Sequence, residues 1–230
     1  MSAQDVLDRS GDCLVDWAGE RLHLLAERAL WWPRGRTLFV ADLHLGKAAS
    51  FRALGQPVPR GTTAGNLHRL DRLIDGLGAQ RLVVLGDFLH AAQARTPALL
   101  SALRGWRARH AGLECTLVRG NHDSHAGDPP AELDIAIVEE PWLLGPFACC
   151  HHPQTHGTHF VLAGHLHPAC SLHGRAHDRV RLACFVREER LAVLPAFGEF
   201  TGGLHVRGGP GRRLYAVGGD AVWALPAPAA

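Results

Sequence analysis

Lysine is almost missing from this chain: of its 24 basic residues, only Lys47 is a lysine. Asparagine is nearly as scarce, with Asn66 and Asn121 alone. Charge of one sign is also missing. The 24 basic residues stand against 22 acidic ones for a net +2, too mild to announce nucleic acid by bulk electrostatics, although a local basic groove is compatible with it. No apolar run approaches the roughly 20 residues that cross a bilayer, so no membrane partner is expected. The opening Met-Ser-Ala-Gln-Asp has no apolar core, and a signal peptide is not expected. None of the six cysteines forms a C-x-x-C pair, which excludes that type of redox motif. Three of them lie in apolar strand-like runs, where a free thiol behaves as a small hydrophobe. A reduced, cytoplasmic protein is the expectation.

What is present in excess is histidine, with 16 copies, eight of them between His151 and His177. The histidines belong to a wider pattern. Five short polar islands each end an apolar run: residues 37–41 then Asp42-Leu43-His44, 81–86 then Asp87, 114–119 then Gly120-Asn121-His122-Asp123, Pro146–Cys150 then His151-His152, and Phe160–Ala163 then Gly164-His165-Leu166-His167. Apolar, β-branched runs bounded by glycine or polar residues read as buried strands. Ligands gather outside the carboxyl ends of strands in open α/β sheets, so five such ends point to one site.

The rest of the chain reads as follows. Residues 12–32 form a hairpin turning at Gly19, and 48–61 are a loop, marked by Gly55, Pro57, Pro59 and Gly61. Leu67, Leu70, Leu73, Ile74 and Leu77 recur at helical spacing over 62–77, and Pro97 opens a second helix to about Arg109. Helices thus alternate with strands in the first half, as in a parallel βαβ sheet. The second half predicts short strands at 135–138, 142–150, 159–163, 180–186, 191–194 and 213–217. No repeat or linker divides the chain, so a single domain over 1–230 is expected, with a frayed tail from about Leu225. The fold class expected is an α/β, four-layer αββα sandwich of two mixed sheets flanked by helices.

The islands hold a full set of metal donors. Asp42 and His44 stand at i and i+2, which on an extended strand end face the same way. His165 and His167 share that spacing. Asp87 follows a tight glycine exit, where a carboxylate can bridge two ions; Asn121 adds an amide oxygen and His151 an imidazole. Seven donors exceed the need of one ion. Mixed N and O ligands suit two divalent ions of the manganese, iron or zinc kind, manganese favoured. A local charge of about +2 on such a site favours an anionic substrate such as a phosphodiester.

In order, Asp-x-His, Gly-Asp, Gly-Asn-His-Asp, a later His and Gly-His-x-His resemble the calcineurin-like metallophosphoesterases over residues 42–167. The resemblance implies one metal on Asp42, His44, Asp87 and His167, and another on Asp87, Asn121, His151 and His165. It implies His122 as the group that contacts the scissile phosphate and protonates the leaving oxygen, with Asp123 orienting it. The choice of His151 over His152 rests on the family ligand lying two residues before Pro153. A narrower resemblance, carried by Ala41–Lys47, Phe51-Arg52, Pro57-Val58-Pro59, Gly86–His90, Gly164–Pro168, Leu194–Gly198 and Thr201–Gly203, is to the PdeM-type, ligase-associated phosphoesterases. It implies a nuclease acting on DNA in repair, in association with an ATP-dependent DNA ligase and a helicase.

Candidate substrate contacts on these flanks are Lys47, Arg52, His90 and His152; Arg60 also stands near, read as surface. His156, His159, His173 and His177 read as loop histidines. Trp31 and Trp32 could stack on bases, with core packing the expected use. Two rival readings stay open: a phosphatase acting on nucleotides or other small molecules, and a non-catalytic interaction module on the same fold.

Overall fold

A computed structural model of the chain describes residues 11–53, 55–58, 61–174, 178–199 and 201–226. Arg60 and His177 lie outside them. The first sheet orders β1 (Cys13–Trp17), β2 (Glu20–Leu25), β3 (Ala29–Trp32), β4 (Thr37–Val40), β5 (Arg81–Leu85), β6 (Glu114–Val118) and β7 (Ile135–Val138) side by side in sequence order. Its first half is antiparallel, and β4 to β7 run parallel. Parallel strands need crossovers. Two are supplied by the helices α2 (Thr62–Leu77) and α3 (Pro97–Arg109); the short helices α1 (Lys47–Ala53) and α4 (Asn121–Ala126) follow β4 and β6.

The second sheet holds β8 (Trp142–Leu144), β9 (Phe147–Cys149), β10 (Phe160–Ala163), β11 (Pro168–His173), β12 (Arg179–Glu188), β13 (Leu191–Val193), β14 (Leu204–His205), β15 (Arg213–Gly218) and β16 (Ala221–Ala224). Along it the order is β14-β11-β12-β13-β10-β9-β8, with β15 pairing β12 and β16. Parallel β9, β10 and β13 stand beside antiparallel neighbours. The α/β sandwich of two mixed sheets is thus present, with its helices gathered on the first sheet. No helix among the described residues is long and apolar enough to cross a membrane.

The alternation of a strand explains the layering. Leu38, Val40, Leu82 and Val84 face Leu67, Leu70, Leu103 and Trp106 of the helices. Phe39, Val83 and Leu85 face Phe147, Leu162 and Phe185 of the second sheet. A strand covered on both sides must be apolar at every position, which is why Thr37–Val40 reads as one run. Thr96 caps α3, its hydroxyl accepting from the Leu99 amide at 3.2 Å.

Several expectations shift. The 48–61 loop begins as helix α1, because Lys47-Ala-Ala-Ser-Phe-Arg-Ala53 precedes the breakers Gly55 and Pro57 and is built of good helix formers. The run 142–150 splits into β8 and β9 at Gly145, whose φ is 56°. The hairpin at 12–32 gains a third strand, β3. Trp31 and Trp32 are core residues, 2% and 6% exposed, and Trp32 donates its indole N–H to Glu20 at 2.8 Å.

Candidate metal centre

Strands β4, β5 and β6 end at the same edge, and their carboxyl ends deliver Asp42, Asp87 and Asn121; β9 and β10 deliver His151 and His165. The backbone just past these ends is unusual. Asp42, His44, Asp87, His165 and His167 all take the left-handed conformation, with φ between 45° and 69°. They are five of the nine non-glycine residues that do so among those described. Asp and His tolerate this region better than most side chains, but it still costs free energy, and such strain is held where surrounding contacts over-determine it. The shared direction of Asp42 and His44 therefore comes from two left-handed turns, not from the extended strand end expected of their spacing.

The contacts that impose this run between strand ends. The Asp42 amide donates to the Gly86 carbonyl at 3.2 Å, and the His44 amide to the Asp87 carbonyl at 2.8 Å. On the other side Phe197 and Gly198 donate to the carbonyls of Ala41 and Asp42 at 2.8 and 3.1 Å. A side chain at position 198 would put its Cβ 2.3 Å from the Leu43 carbonyl oxygen, so the Leu194–Gly198 run clamps the backbone of Asp42.

The donors fall into two groups. In one, His44 Nε2 lies 3.2 Å from His167 Nε2, and His167 Nε2 3.5 Å from Asp42 Oδ1. In the other, His151 Nε2 lies 2.8 Å from Asn121 Oδ1 and 3.1 Å from His165 Nδ1. Asp87 stands between them. Its Oδ2 is 3.7 Å from His44 Nε2, and its Oδ1 is 3.6 Å from His151 Nε2. Asp42, Asp87, His44 and His151 are all buried.

Tautomers sharpen the picture. His151 Nδ1 faces the Leu85 carbonyl at 3.1 Å, and His167 Nδ1 faces the Gly202 carbonyl at 3.1 Å. A carbonyl only accepts, so both rings carry their proton on Nδ1 and turn an Nε2 lone pair into the site. Burial, with Lys47 and neighbouring histidines, pushes His44 down to about 2, so it is neutral. Burial and the nearby histidines also lower His165. For His167, burial is outweighed by Asp42 and the shift is upward.

This donor set fits divalent cations. Asp42 Oδ1 and His44 Nδ1 are buried without a hydrogen-bond partner, and such groups demand an explanation. Ring nitrogens of His44 and His167 stand 3.2 Å apart, and those of His151 and His165 3.1 Å apart. Asp42, His44 and His167 form one cluster able to hold an ion; Asp42, Asp87 and His151 form another.

His122 is the second residue of helix α4, half-buried, its ring packed against His44 and His90 at 4.9 and 5.2 Å. Its amide donates to Asp87 Oδ1 at 2.9 Å, and its Nδ1 lies 2.8 Å from the His90 carbonyl. The orienting group is thus that carbonyl. Asp123, expected in that role, points elsewhere, since consecutive helical residues do not face each other. Its buried carboxylate accepts from the amides of Asp87, Phe88, Leu89 and Gly120. It shapes the Asp87 turn.

His151 meets Asn121 and His165 directly, and His152 joins His151 and His165 in a third cluster able to hold an ion. His152 turns to Glu140, its Nδ1 2.6 Å from Oε1. Glu140 also accepts from the amides of His151 and His152 at 2.6 and 2.9 Å. Sequence reasoning missed Glu140, which stands outside every island. Burial lowers Lys47, opposed by Asp87 and Asp42, and its ammonium lies 6.0 Å from the Phe51 ring. His90 is held down to about 4 by burial, Lys47 and His122. Both therefore stand beside the donors. Arg52 lies half-buried on α1.

The sequence profile of the calcineurin-like phosphoesterases matches residues 35–145. Among solved structures, the crystal structure of Pseudomonas putida nuclease MPE is 50% identical, covers 93% of this chain and 100% of that one, and superposes with a TM-score of 0.83. Yfce, a phosphoesterase from E. coli, is 16% identical over 81% of this chain and 95% of that one, with a TM-score of 0.43. No curated protein matches the chain.

Proposed function

The chain belongs to the calcineurin-like phosphoesterases, and on that premise we propose that it is a two-metal nuclease cutting phosphodiester bonds in DNA. The observation that carries this reading is the placement of Asp87, one oxygen toward the His44 group and the other toward the His151 group. Asp42, His44, Asp87 and His167 would hold one ion; Asp87, Asn121, His151 and His165 would hold the other. Manganese is the favoured ion on this N and O donor set, with iron and zinc as alternatives. When bound, two such ions neutralise phosphoryl charge and lower the pKa of water.

The chain's own residues do the rest. The His90 carbonyl keeps a proton on His122 Nδ1, leaving Nε2 for the substrate. Protonated there, His122 gives its Nε2 proton to the oxygen that leaves as the P–O bond breaks. Lys47, Arg52, His90 and His152 are the proposed substrate contacts, Lys47 by its charge beside the donors. DNA as substrate is supported by the likeness to a nuclease at 50% identity over nearly the whole chain. A cytoplasmic role in DNA repair, with an ATP-dependent ligase and a helicase, is supported by the ligase-associated motifs between Ala41 and Gly203.

The test is hydrolysis of bis-p-nitrophenyl phosphate, a DNA oligonucleotide and a nucleotide panel by metal-loaded protein, chelated protein and Asp87→Ala. The proposal expects metal-dependent cleavage of the diester and the oligonucleotide, abolished in the variant. Activity confined to nucleotides, or an Asp87→Ala protein as active as wild type, would overturn it.

A further inference from the structure

Strand β12 is longer than the sandwich it belongs to. Its second half packs, with Phe185 between the two sheets and Cys184 and Val186 on the outer side. Side chains alternate along a strand, so Arg181 and Arg179 share the face of Phe185, which looks toward the first sheet. The antiparallel register sets Ser171 opposite Arg181 and His173 opposite Arg179. All four side chains therefore lie on that face. His173 and both arginines are exposed and Ser171 is half-buried. His173, expected in a loop, instead ends β11.

This row begins at the metal centre. His167 Nδ1 bonds the Gly202 carbonyl, and the guanidinium of Arg181 donates to the carbonyl of the next residue, Gly203. Strand β11 starts one residue after His167 and carries His173 about 20 Å away, at roughly 3.3 Å per residue.

The arginines here differ from several others on the surface. Arg81, Arg104, Arg109, Arg119 and Arg212 each pair with a carboxylate. Arg179 instead donates to the Ser171 hydroxyl at 3.1 and 3.2 Å, and Arg181 to a carbonyl. Neither makes an ion pair among the described residues. From Pro168 to Ala183 the described residues hold a single carboxylate, Asp178, next to the turn. An arginine with neutral partners keeps its full charge and spare N–H donors for phosphate oxygens.

We propose that the β11–β12 hairpin binds the phosphate backbone of the DNA strand being cut, on one side of the scissile bond, through Arg179 and Arg181. This rests on the nuclease reading above and adds the path by which the strand leaves the metal centre.

The experiment measures binding of a fluorescein-labelled single-stranded oligonucleotide by anisotropy across a salt series. The protein is metal-loaded and carries His122→Ala to suppress cleavage. Each phosphate contact to a single strand contributes about 0.7 to the slope of log K against log salt. Adding Arg179→Ala and Arg181→Ala together should flatten the slope by about 1.4 and weaken low-salt binding by about tenfold or more. Arg179→Ala alone, which leaves the Arg181 to Gly203 bond intact, should flatten it by about 0.7. Arg104→Ala, on α3, should change neither quantity. An unchanged slope in both variants, an equal loss in Arg104→Ala, or no oligonucleotide binding by the parent overturns the proposal. If the parent without His122→Ala still cleaves bis-p-nitrophenyl phosphate, only the hairpin proposal falls; if it does not, the nuclease reading falls with it.

Discussion

The carboxylate of Asp123 accepts the backbone amide of Asp87 at 2.8 Å, from a position 0% exposed. Three further amides, of Phe88, Leu89 and Gly120, converge on the same two oxygens. The turn that presents Asp87 is therefore built on the buried side chain of Asp123. Asp123→Asn exchanges one acceptor oxygen for an N–H₂ aimed at amide donors. Leaving such buried donors unmet costs about 3 kcal/mol in total. Urea unfolding should show that loss, and metal content should fall with it while His122 keeps its bond to the His90 carbonyl.

Gly86 has a φ of 81°, and a Cβ there would lie 2.0 Å from His151 Nδ1. Gly86→Ala adds the left-handed penalty of about 1–2 kcal/mol to a collision with a buried ring. We expect a lower melting temperature together with loss of the ion proposed for the His151 group, read by metal analysis of the purified protein.

The paired histidines separate by the same measurement. His151→Ala should reduce bound metal, because its Nε2 faces Asn121 and His165. His152→Ala should lose less, because its Nδ1 is held by Glu140 and its ring lies beside His165, away from Asn121. Equal metal loss in the two variants would contradict the division.

Chelation should destabilise the fold, since it leaves Asp42, Asp87 and the histidines crowded without a cation. A ligand at about 100 times its Kd stabilises by about 2.7 kcal/mol, or roughly 5–10 °C for a domain of this size. A calorimetric scan with and without chelator reads this directly.

Burial pushes the Cys115 thiol up to about 11 from an ordinary value of 9.0. A group whose pKa rises on folding stabilises the protein fully below its unfolded value and loses that contribution above it. Stability should thus fall between about pH 9 and 11, on the order of 1 kcal/mol per pH unit for this thiol. Cys115→Ala should flatten the decline in denaturant midpoint over that window.

Much of this was legible in the sequence because it is local. The runs Thr37–Val40, Arg81–Leu85 and Glu114–Val118 announce buried strands by composition. Helices Thr62–Leu77 and Pro97–Arg109 follow from apolar spacing in the first and from a proline at the first turn of the second. Strand β11 escaped notice because Pro168-Ala-Cys-Ser-Leu-His173 lacks a β-branched run and is held as a strand by pairing with β12. Glu140 escaped because it meets His151 and His152 only across a turn between sheets.

By itself, the sequence determined which side chains could bind metal and that each would sit at a strand end, since both follow from residue type and short-range pattern. Only the tertiary structure decided how they aim. Five left-handed residues, the division of the Asp87 oxygens, the carbonyl that orients His122 and the arginine face of the hairpin all depend on contacts between segments distant in the chain. Such contacts are set by the packing of two sheets, and no local spacing encodes them.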